Sequence, residues 1–266
     1  MIKKAYLMIA AVLLVPACSS WAQPRKAASA NDLSPDEIIK AFSQKETAFY
    51  EAWKQYAYHQ IAEVKVTEVD GRPVSNQRLV LAWNVIFHDD GTREIQLVDR
   101  SGRLRDVQFT SDDEDVISNI QPFALTGKDL PLYDLKYEGK EKVDELSCYV
   151  FSVKPKTTKG GRMYFDGKIW VDDQDLQVVR TVGKAVPQER NEQFPEFETI
   201  RQVVDNKYWF PAYTHADSKL RFPGQTVRVE ETITYEDYRQ FGSKANIKYG
   251  EPPATTPPAP KKPPSD

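Results

Sequence analysis

The chain has 266 residues, 40% of them hydrophobic, and a formal net charge of −3. This length provides for one sizeable core and not clearly for two, and the excess of acidic residues argues against nucleic acid as a partner. The only cysteines are Cys18 and Cys148, so no internal disulfide framework is expected and stability must come from packing.

The N-terminus has the layout of a secretory signal. Lys3 and Lys4 precede an apolar run over residues 5–15, which is too short to span a bilayer and is followed by small residues. We therefore predict a signal peptide over residues 1–22 and an exported, periplasmic protein. Removal of this segment takes away two lysines and leaves a net charge of −5.

Two processing sites compete within this segment. Ser20 and Ala22 are small residues at the positions that a signal peptidase reads, so cleavage before Gln23 would release a protein without an anchor. The stretch from Val15 to Cys18 instead resembles a lipobox, in which Cys18 would be acylated and would anchor the protein to the envelope. Both alternatives stay open, and either one removes Cys18 from any disulfide.

A long helix is predicted to open the domain after a linker over residues 23–33. Ser34 is a capping residue, Pro35 suits the first helical position, and Glu37 completes a capping box. Helical spacing then indicates one apolar face up to about residue 56, formed by Ile38, Ile39, Phe42, Phe49, Trp53 and Tyr56.

A second, shorter helix is predicted from Ser111 to Asn119. The residues after Ser111 are acidic, and carboxylates in a first helical turn interact favourably with the helix dipole. We therefore interpret Asp112 to Asp115 as the start of a helix. A calcium loop would need a different ligand spacing and a glycine.

Most of the remaining chain alternates apolar and polar residues with a period of two, which predicts β-strands. One clear hairpin turns at residues 88–92, where an Asp-Asp-Gly sequence separates two alternating segments. The predicted strands cover residues 64–66, 79–87, 95–97, 104–109, 149–153, 163–171, 176–182, 197–204, 208–215 and 227–238.

Together these elements predict a mainly β (α+β) fold over residues 34–241. An antiparallel sheet of about 11 strands accumulates twist and must curl, split or close. We expect a strongly curved antiparallel sheet, or half-open β-barrel, with the long N-terminal helix and the short helix covering its concave face; a two-layer sandwich is the alternative. Residues 242–266 are rich in proline and are predicted to form a disordered tail.

The sequence contains no recognisable motif for catalysis or metal binding. His59, His88 and His215 lack the short spacing of a zinc site, and no nucleophile elbow, Cys-x-x-Cys pair or phosphate loop occurs. Cys148 lies in an apolar run and is expected to be a small buried side chain. We predict a protein that is not an enzyme and that uses no cofactor or metal.

A strand–turn–strand segment from Phe165 to Arg180 resembles the LolA-like superfamily. The stretches at residues 120–123, 140–144 and 207–211 are similar to a group of secreted bacterial proteins within that superfamily, described as outer-membrane lipoprotein-sorting proteins. The resemblance covers residues 34–241. It implies a half-open antiparallel barrel with helices across its mouth and a hydrophobic cavity between them.

This resemblance and the apolar alternation predict a carrier that binds lipid or the acyl chains of a lipoprotein. The alternative is an envelope interaction or sensor module with a packed core, which would contact an envelope protein partner through edge strands or the tail; peripheral membrane contact fits either function. Phe42, Phe49 and Trp53 are the expected lid residues. The strand residues expected to line the cavity, or a packed core, are Val64, Val66, Trp83, Val85, Phe87, Ile95, Leu97, Ile169, Val171, Ile233 and Tyr235.

Overall fold

The computed structural model describes residues 33–241; the predicted signal peptide, Cys18, most of the linker and the proline-rich tail lie outside the described residues. The fold is one antiparallel sheet of 11 strands that is open at two edges. The predicted curved, mainly β fold is confirmed, and a two-layer sandwich is excluded because the strands form a single sheet. The strands are β1 (Tyr56–Val69), β2 (Arg72–Pro73), β3 (Arg78–Phe87), β4 (Arg93–Arg103), β5 (Tyr133–Val143), β6 (Leu146–Pro155), β7 (Tyr164–Asp172), β8 (Val178–Val186), β9 (Phe197–Val204), β10 (Tyr208–Phe222) and β11 (Gln225–Gln240).

The strand order shows how the chain encloses one face of the sheet. β1 lies between β3 and β11, and β3 is followed by the edge strand β4. Residues 104–132, which we call the crossing segment, then carry the chain to the opposite edge strand, β5. From β5 each strand pairs with the next until β11 returns to β1. The crossing segment therefore spans the sheet from one edge to the other.

The first helix, α1 (Pro35–Trp53), begins as the capping pattern predicts. The Ser34 hydroxyl accepts a hydrogen bond from the Glu37 amide, and the Glu37 carboxylate accepts one from the Ser34 amide. The apolar face of α1 packs onto the sheet, with ring centroids of Phe42 and Phe151 5.6 Å apart. Across residues 33–241, none of the helices combines the length and the apolar character that a membrane span requires.

The end of α1 falls earlier than predicted. Tyr56 continues the helical spacing in sequence, but it is the first residue of β1 and pairs with Gln240 of β11. This pairing joins residues that lie far apart in the chain, so a local apolar pattern does not reveal it. Long-range pairing therefore overrides the helical periodicity at this position.

The second helix, α2 (Ser111–Asp115), is shorter than predicted and has a different cap. The hydroxyl of Thr110, and not that of Ser111, accepts a hydrogen bond from the Asp113 amide. The chain continues as one π-helical turn, Val116–Ile120, whose side chains at 116, 117 and 120 are buried. The predicted helix is thus present, but it changes its winding where it packs against the sheet.

The predicted strand over residues 104–109 is wrong. β4 continues to Arg103, which pairs with Arg78, the first residue of β3. Beyond that pair β3 offers no further partner, so the chain leaves the sheet and starts the crossing segment. β5 is not predicted from the sequence, because this edge strand is mostly exposed and lacks a clear apolar alternation.

Candidate functional site

Among the described residues, two of the apolar groups on the concave face of the sheet lie next to the candidate site. The helix cluster packs against α1 and includes Phe49, Trp53, Trp83, Val85, Ile233 and Tyr235. The pocket cluster is formed by Val64, Val66, Leu220, Val227 and Val229, with Leu104, Val107, Phe109 and Phe222 packed against it. The helix cluster is covered by α1 and the pocket cluster by the start of the crossing segment, and Leu104 and Phe109 pack against both clusters.

Most strand residues that the sequence assigns to the interior are buried, but they do not form one group. The buried ones are Val64, Val66, Trp83, Val85, Ile169, Val171, Ile233 and Tyr235. The two valines of β1 belong to the pocket cluster, and the four residues of β3 and β11 belong to the helix cluster. Ile169 lies farther along the sheet, opposite Phe151. Phe87 is half-buried and stacks on Phe241 at the end of β3.

Ile95 and Leu97 do not line the interior, and this part of the prediction is wrong. They lie opposite Val85 and Trp83, on the same face of the sheet. Their side chains are nevertheless 52% and 48% exposed, because β4 is an edge strand and the helix cluster contains none of its residues. A period of two identifies the face of a strand, but it does not show how far the covering elements reach.

A buried ion pair attaches α1 to the sheet. Arg201 of β9 donates to both carboxylate oxygens of Glu46, from Nη1 to Oε1 at 2.7 Å and from Nη2 to Oε2 at 3.0 Å, and both side chains are 1% exposed. Arg201 also donates to the carbonyl of Phe123, and Glu46 accepts a hydrogen bond from the amide of Leu125. These bonds join α1, β9 and the crossing segment. The helix that carries the three predicted lid residues is thus a firmly held part of the core.

This ion pair is not among the residues predicted from the sequence, although both partners left a signal. Glu46 falls on the apolar face of α1, between Phe42 and Phe49, where a charged residue is unusual. On β9, Arg201 alternates inward with Phe197 and Thr199. A charged residue at an inward position on each of two elements suggests a buried pair, but only the fold shows that the two elements meet.

A second buried polar contact separates the two apolar clusters. Along β11, Glu231 lies between Val229 of the pocket cluster and Ile233 of the helix cluster, and it is buried. Its carboxylate accepts a hydrogen bond from the side chain of Gln121, just after the π-helical turn. Burial raises the pKa of Glu231 to about 7, because the charged form loses its hydration. Glu231 therefore changes its charge near neutral pH.

A small pocket lies between the pocket cluster and the crossing segment. Its volume is about 50 Å³. Its apolar walls come from Val64, Leu104, Val107, Phe109, Pro195, Leu220, Phe222 and Val229, and its polar walls from Gln108, Asp113, Gln193 and Glu231. Typical ligand pockets measure roughly 300–1,000 Å³. A ligand with a long chain could enter only if one of these walls moved.

The wall formed by residues 104–110, which we call the cover, is held mainly by side chains. Gln77 accepts hydrogen bonds from the amides of Arg105 and Asp106 and donates to the Asp106 carboxylate. Gln225 donates to the carbonyl of Asp106 at 2.8 Å. In the part of the chain that the structure describes, no backbone–backbone hydrogen bond joins residues 104–109 to the sheet. The cover can therefore be displaced without breaking a strand pairing.

A larger cavity of about 310 Å³ lies between α1 and the crossing segment. Tyr50 and Trp53 form one side, and residues 118–124 form the other. Much of its remaining wall is polar or charged, including Arg162, which is paired with Asp129 at 3.2 Å. This cavity is less suited to an acyl chain than the pocket beneath the cover.

The described residues include neither a metal-ligand cluster nor an exposed free thiol. Among residues 33–241, no group of three histidine, cysteine or acidic side chains is placed to hold a metal ion. Cys148 is buried, as predicted, and burial raises the pKa of its thiol to about 11, so the reactive thiolate is disfavoured. The arrangement can bury apolar groups next to a carboxyl group, which is the chemistry of a binding site.

Several solved structures are similar to this chain. A putative outer-membrane lipoprotein-sorting protein domain from Vibrio parahaemolyticus is 12% identical, with 77% of this chain and 94% of that chain covered and a TM-score of 0.40. A DUF1329 family protein from Desulfovibrio piger is 13% identical, with 77% of this chain and 94% of that chain covered and a TM-score of 0.37. A LolA superfamily protein from Nitrosomonas europaea is 9% identical, with 74% of this chain and 93% of that chain covered and a TM-score of 0.36.

No protein-family profile and no curated protein matches the sequence. At the TM-scores above, similarity to other structures carries no argument about function.

Proposed function

We propose that the protein is a non-enzymatic carrier of the bacterial envelope, which binds lipid or lipoprotein acyl chains between the pocket cluster and the cover. The observation that supports this function best is an apolar pocket with one wall held mainly by side-chain hydrogen bonds. Residence in the envelope rests on the signal peptide predicted over residues 1–22.

In this proposal the lid is the cover and not α1. The ion pair between Glu46 and Arg201 would have to break for α1 to move, and two buried charges would lose their partners. Displacement of the cover breaks the hydrogen bonds of Gln77 and Gln225, which water can replace. The cover therefore opens at a lower free-energy cost than α1.

Burial of an acyl chain provides enough free energy to open the cover. Each CH₂ group that leaves water contributes about 0.8 kcal/mol, so a chain of about 16 carbons contributes on the order of 10 kcal/mol before costs. Each lost hydrogen bond of the cover costs about 0.5–1.5 kcal/mol. The gain from a buried chain therefore exceeds the cost of the hydrogen bonds that hold the cover.

Removal of the Gln77 side chain is expected to speed ligand uptake. Gln77→Ala deletes the three hydrogen bonds between Gln77 and the cover. If this lowers the stability of the closed state by about 1.4 kcal/mol, the equilibrium constant for opening of the cover rises roughly tenfold. Stopped-flow fluorescence with the neutral apolar dye N-phenylnaphthylamine measures the uptake rate.

Mass spectrometry of lipids extracted from protein purified from its native envelope would identify the cargo.

Gln96→Ala is the matched control for this experiment. Gln96 is a half-buried glutamine on the edge strand β4 and donates to Glu94, away from the cover. This variant should take up the dye at the wild-type rate. If the wild-type protein and Gln77→Ala both take up no dye, and no lipid accompanies the protein from the envelope, the carrier proposal is wrong.

A second function is favoured by the exposed edge strand. Ile95, Leu97 and Val98 of β4 are large apolar residues, and Val98 is 49% exposed. Such a strand offers unpaired backbone groups and apolar side chains to an added strand of an envelope protein. Leu97→Lys is then expected to abolish retention of that partner from envelope extracts. Val203→Lys, at a similarly exposed valine of β9, should retain it; equal retention by both variants would argue against the interaction.

A further inference from the structure

The pocket beneath the cover is apolar on most sides but acidic at its polar end. Asp113 of α2 and Glu231 of β11 are the only charged side chains in its wall, and the other polar residues there, Gln108 and Gln193, are neutral. Burial also raises the pKa of the Asp113 carboxyl group. The described residues of the pocket thus offer an apolar surface to the hydrocarbon chain of a ligand and carboxyl groups to its head group.

Glu231 is placed to contact a head group while the chain lies on the pocket cluster. It follows Val229 on the concave face of β11, so its carboxyl group is at the border of the pocket cluster. Its neighbours across the sheet are Val64 on β1 and Ala216 on β10, which supply no positive charge. The hydrogen bond from Gln121 uses only part of the capacity of a carboxylate, which has about four acceptor sites.

A nearby cation, Arg100, does not neutralise the carboxyl groups in the pocket wall. Arg100 of β4 lies about 6.0 Å from the ring centroid of Phe109, on the cover, but it is not part of the pocket wall. Its guanidinium faces Glu114 at 3.8 Å. A negatively charged head would therefore meet two carboxyl groups without a compensating cation, whereas a positively charged head would neutralise them.

We propose that the pocket selects amphiphiles with a positively charged, hydrogen-bond-donating head, such as a primary amine, over amphiphiles with a carboxylate head. This inference rests on the proposed function, because it requires that the cover opens for a chain. It adds the class of ligand: the chain lies on the pocket cluster, and the ammonium group donates to Glu231. A free fatty acid is accordingly a poor ligand.

Three ligands with the same chain and different heads test this selection. Dodecylamine, dodecanol and dodecanoate, each below its micelle-forming concentration and near pH 8, are titrated against the protein loaded with N-phenylnaphthylamine. We expect dodecylamine to displace the dye at a concentration roughly tenfold or more below that of dodecanoate, with dodecanol between them. In Glu231→Gln the difference between amine and carboxylate should shrink to within about threefold, while displacement by dodecanol is unchanged.

Glu230→Gln serves as the control, because Glu230 is the adjacent residue of β11 and points to the other face of the sheet. This variant should keep the wild-type preference for the amine. The inference is overturned if dodecylamine and dodecanoate displace the dye equally well, or if Glu231→Gln keeps the wild-type preference for the amine. In either case uptake of the dye would still support a carrier. If the protein binds neither the dye nor any of the three amphiphiles, the proposed function itself fails. Even if a variant does not fold, the three ligands titrated against the wild-type protein test whether the pocket prefers a positively charged head group.

Discussion

Replacement of Arg201 by methionine is expected to lower the free energy of unfolding by about 3–5 kcal/mol. The change leaves the Glu46 carboxylate buried without its partner and removes the hydrogen bond to the carbonyl of Phe123. An uncompensated buried charge costs far more than the pair contributes when it is intact. Urea unfolding, followed by tryptophan fluorescence, measures the effect as a shift of the transition midpoint at constant slope.

Arg180→Met is the matched control, because Arg180 forms a partly exposed ion pair with Glu198. Ion pairs of that kind contribute about 0–1 kcal/mol, so this variant should stay close to the wild type. In the double variant Glu46→Leu with Arg201→Met, no charge is left unpaired, and much of the lost stability should return. Equal losses in Arg201→Met and Arg180→Met would show that the buried pair does not anchor α1.

The stability of the protein is expected to fall as the pH rises from about 4.5 to about 7, because of Glu231. The folded state raises the pKa of this carboxyl group from 4.5 to about 7, so over this range the folded state holds a proton that the unfolded state has released. At 1.36 kcal/mol per pH unit the loss reaches about 3 kcal/mol. Glu231→Gln removes this dependence and should be more stable than the wild type above about pH 7, by an amount of this order.

Below about pH 4.5 Glu231→Gln and the wild type should be similarly stable, because Glu231 is protonated in both states there. The titratable groups that face Glu231 are Asp113 of α2, whose pKa is also raised, and Tyr235 of β11, whose pKa is raised by burial. Gln121 of the crossing segment, Val64 of β1 and Ala216 of β10 do not titrate. Urea unfolding at a series of pH values measures the difference. Glu230→Gln should keep the wild-type pH dependence, and a Glu231→Gln variant that keeps it too would contradict this explanation.

A buried carboxylate that reduces stability at neutral pH fits a binding site better than a purely structural role. A hydrophobic residue between Val229 and Ile233 would join the two apolar clusters and would avoid the cost of burial. Residues with such shifted pKa values are found most often where a ligand or a substrate is bound. The free energy lost by burying the charge of Glu231 is recovered if a positively charged head group binds next to it.

Local patterns in the sequence were sufficient for the regular elements. The start of α1 was predicted from Ser34, Pro35 and Glu37, because a helix cap is made by residues that are neighbours in the chain. The strands with one buried face were predicted from their alternation. The failures have a common cause: the first residue of β1 and the last residues of β4 are set by the strands beside them, which no local pattern shows.

The site was predicted only in part, for a similar reason. Val64 and Val66 were assigned to the interior from their alternation, and they do lie beside the pocket. Ile95 and Leu97 have the same alternation and are exposed, because they belong to an edge that nothing covers. The segment that covers the pocket had been predicted to be a strand.

The class of fold follows from local sequence patterns, because an apolar period of two in many short segments and one amphipathic helix allow few other arrangements. The residues of the candidate site come together through long-range packing. It brought Glu46 to Arg201 and Gln121 to Glu231, across 155 and 110 positions of the chain. Whether a charged side chain is buried, and which partner it meets, depends on the packing of distant elements, and that is a property of the whole fold.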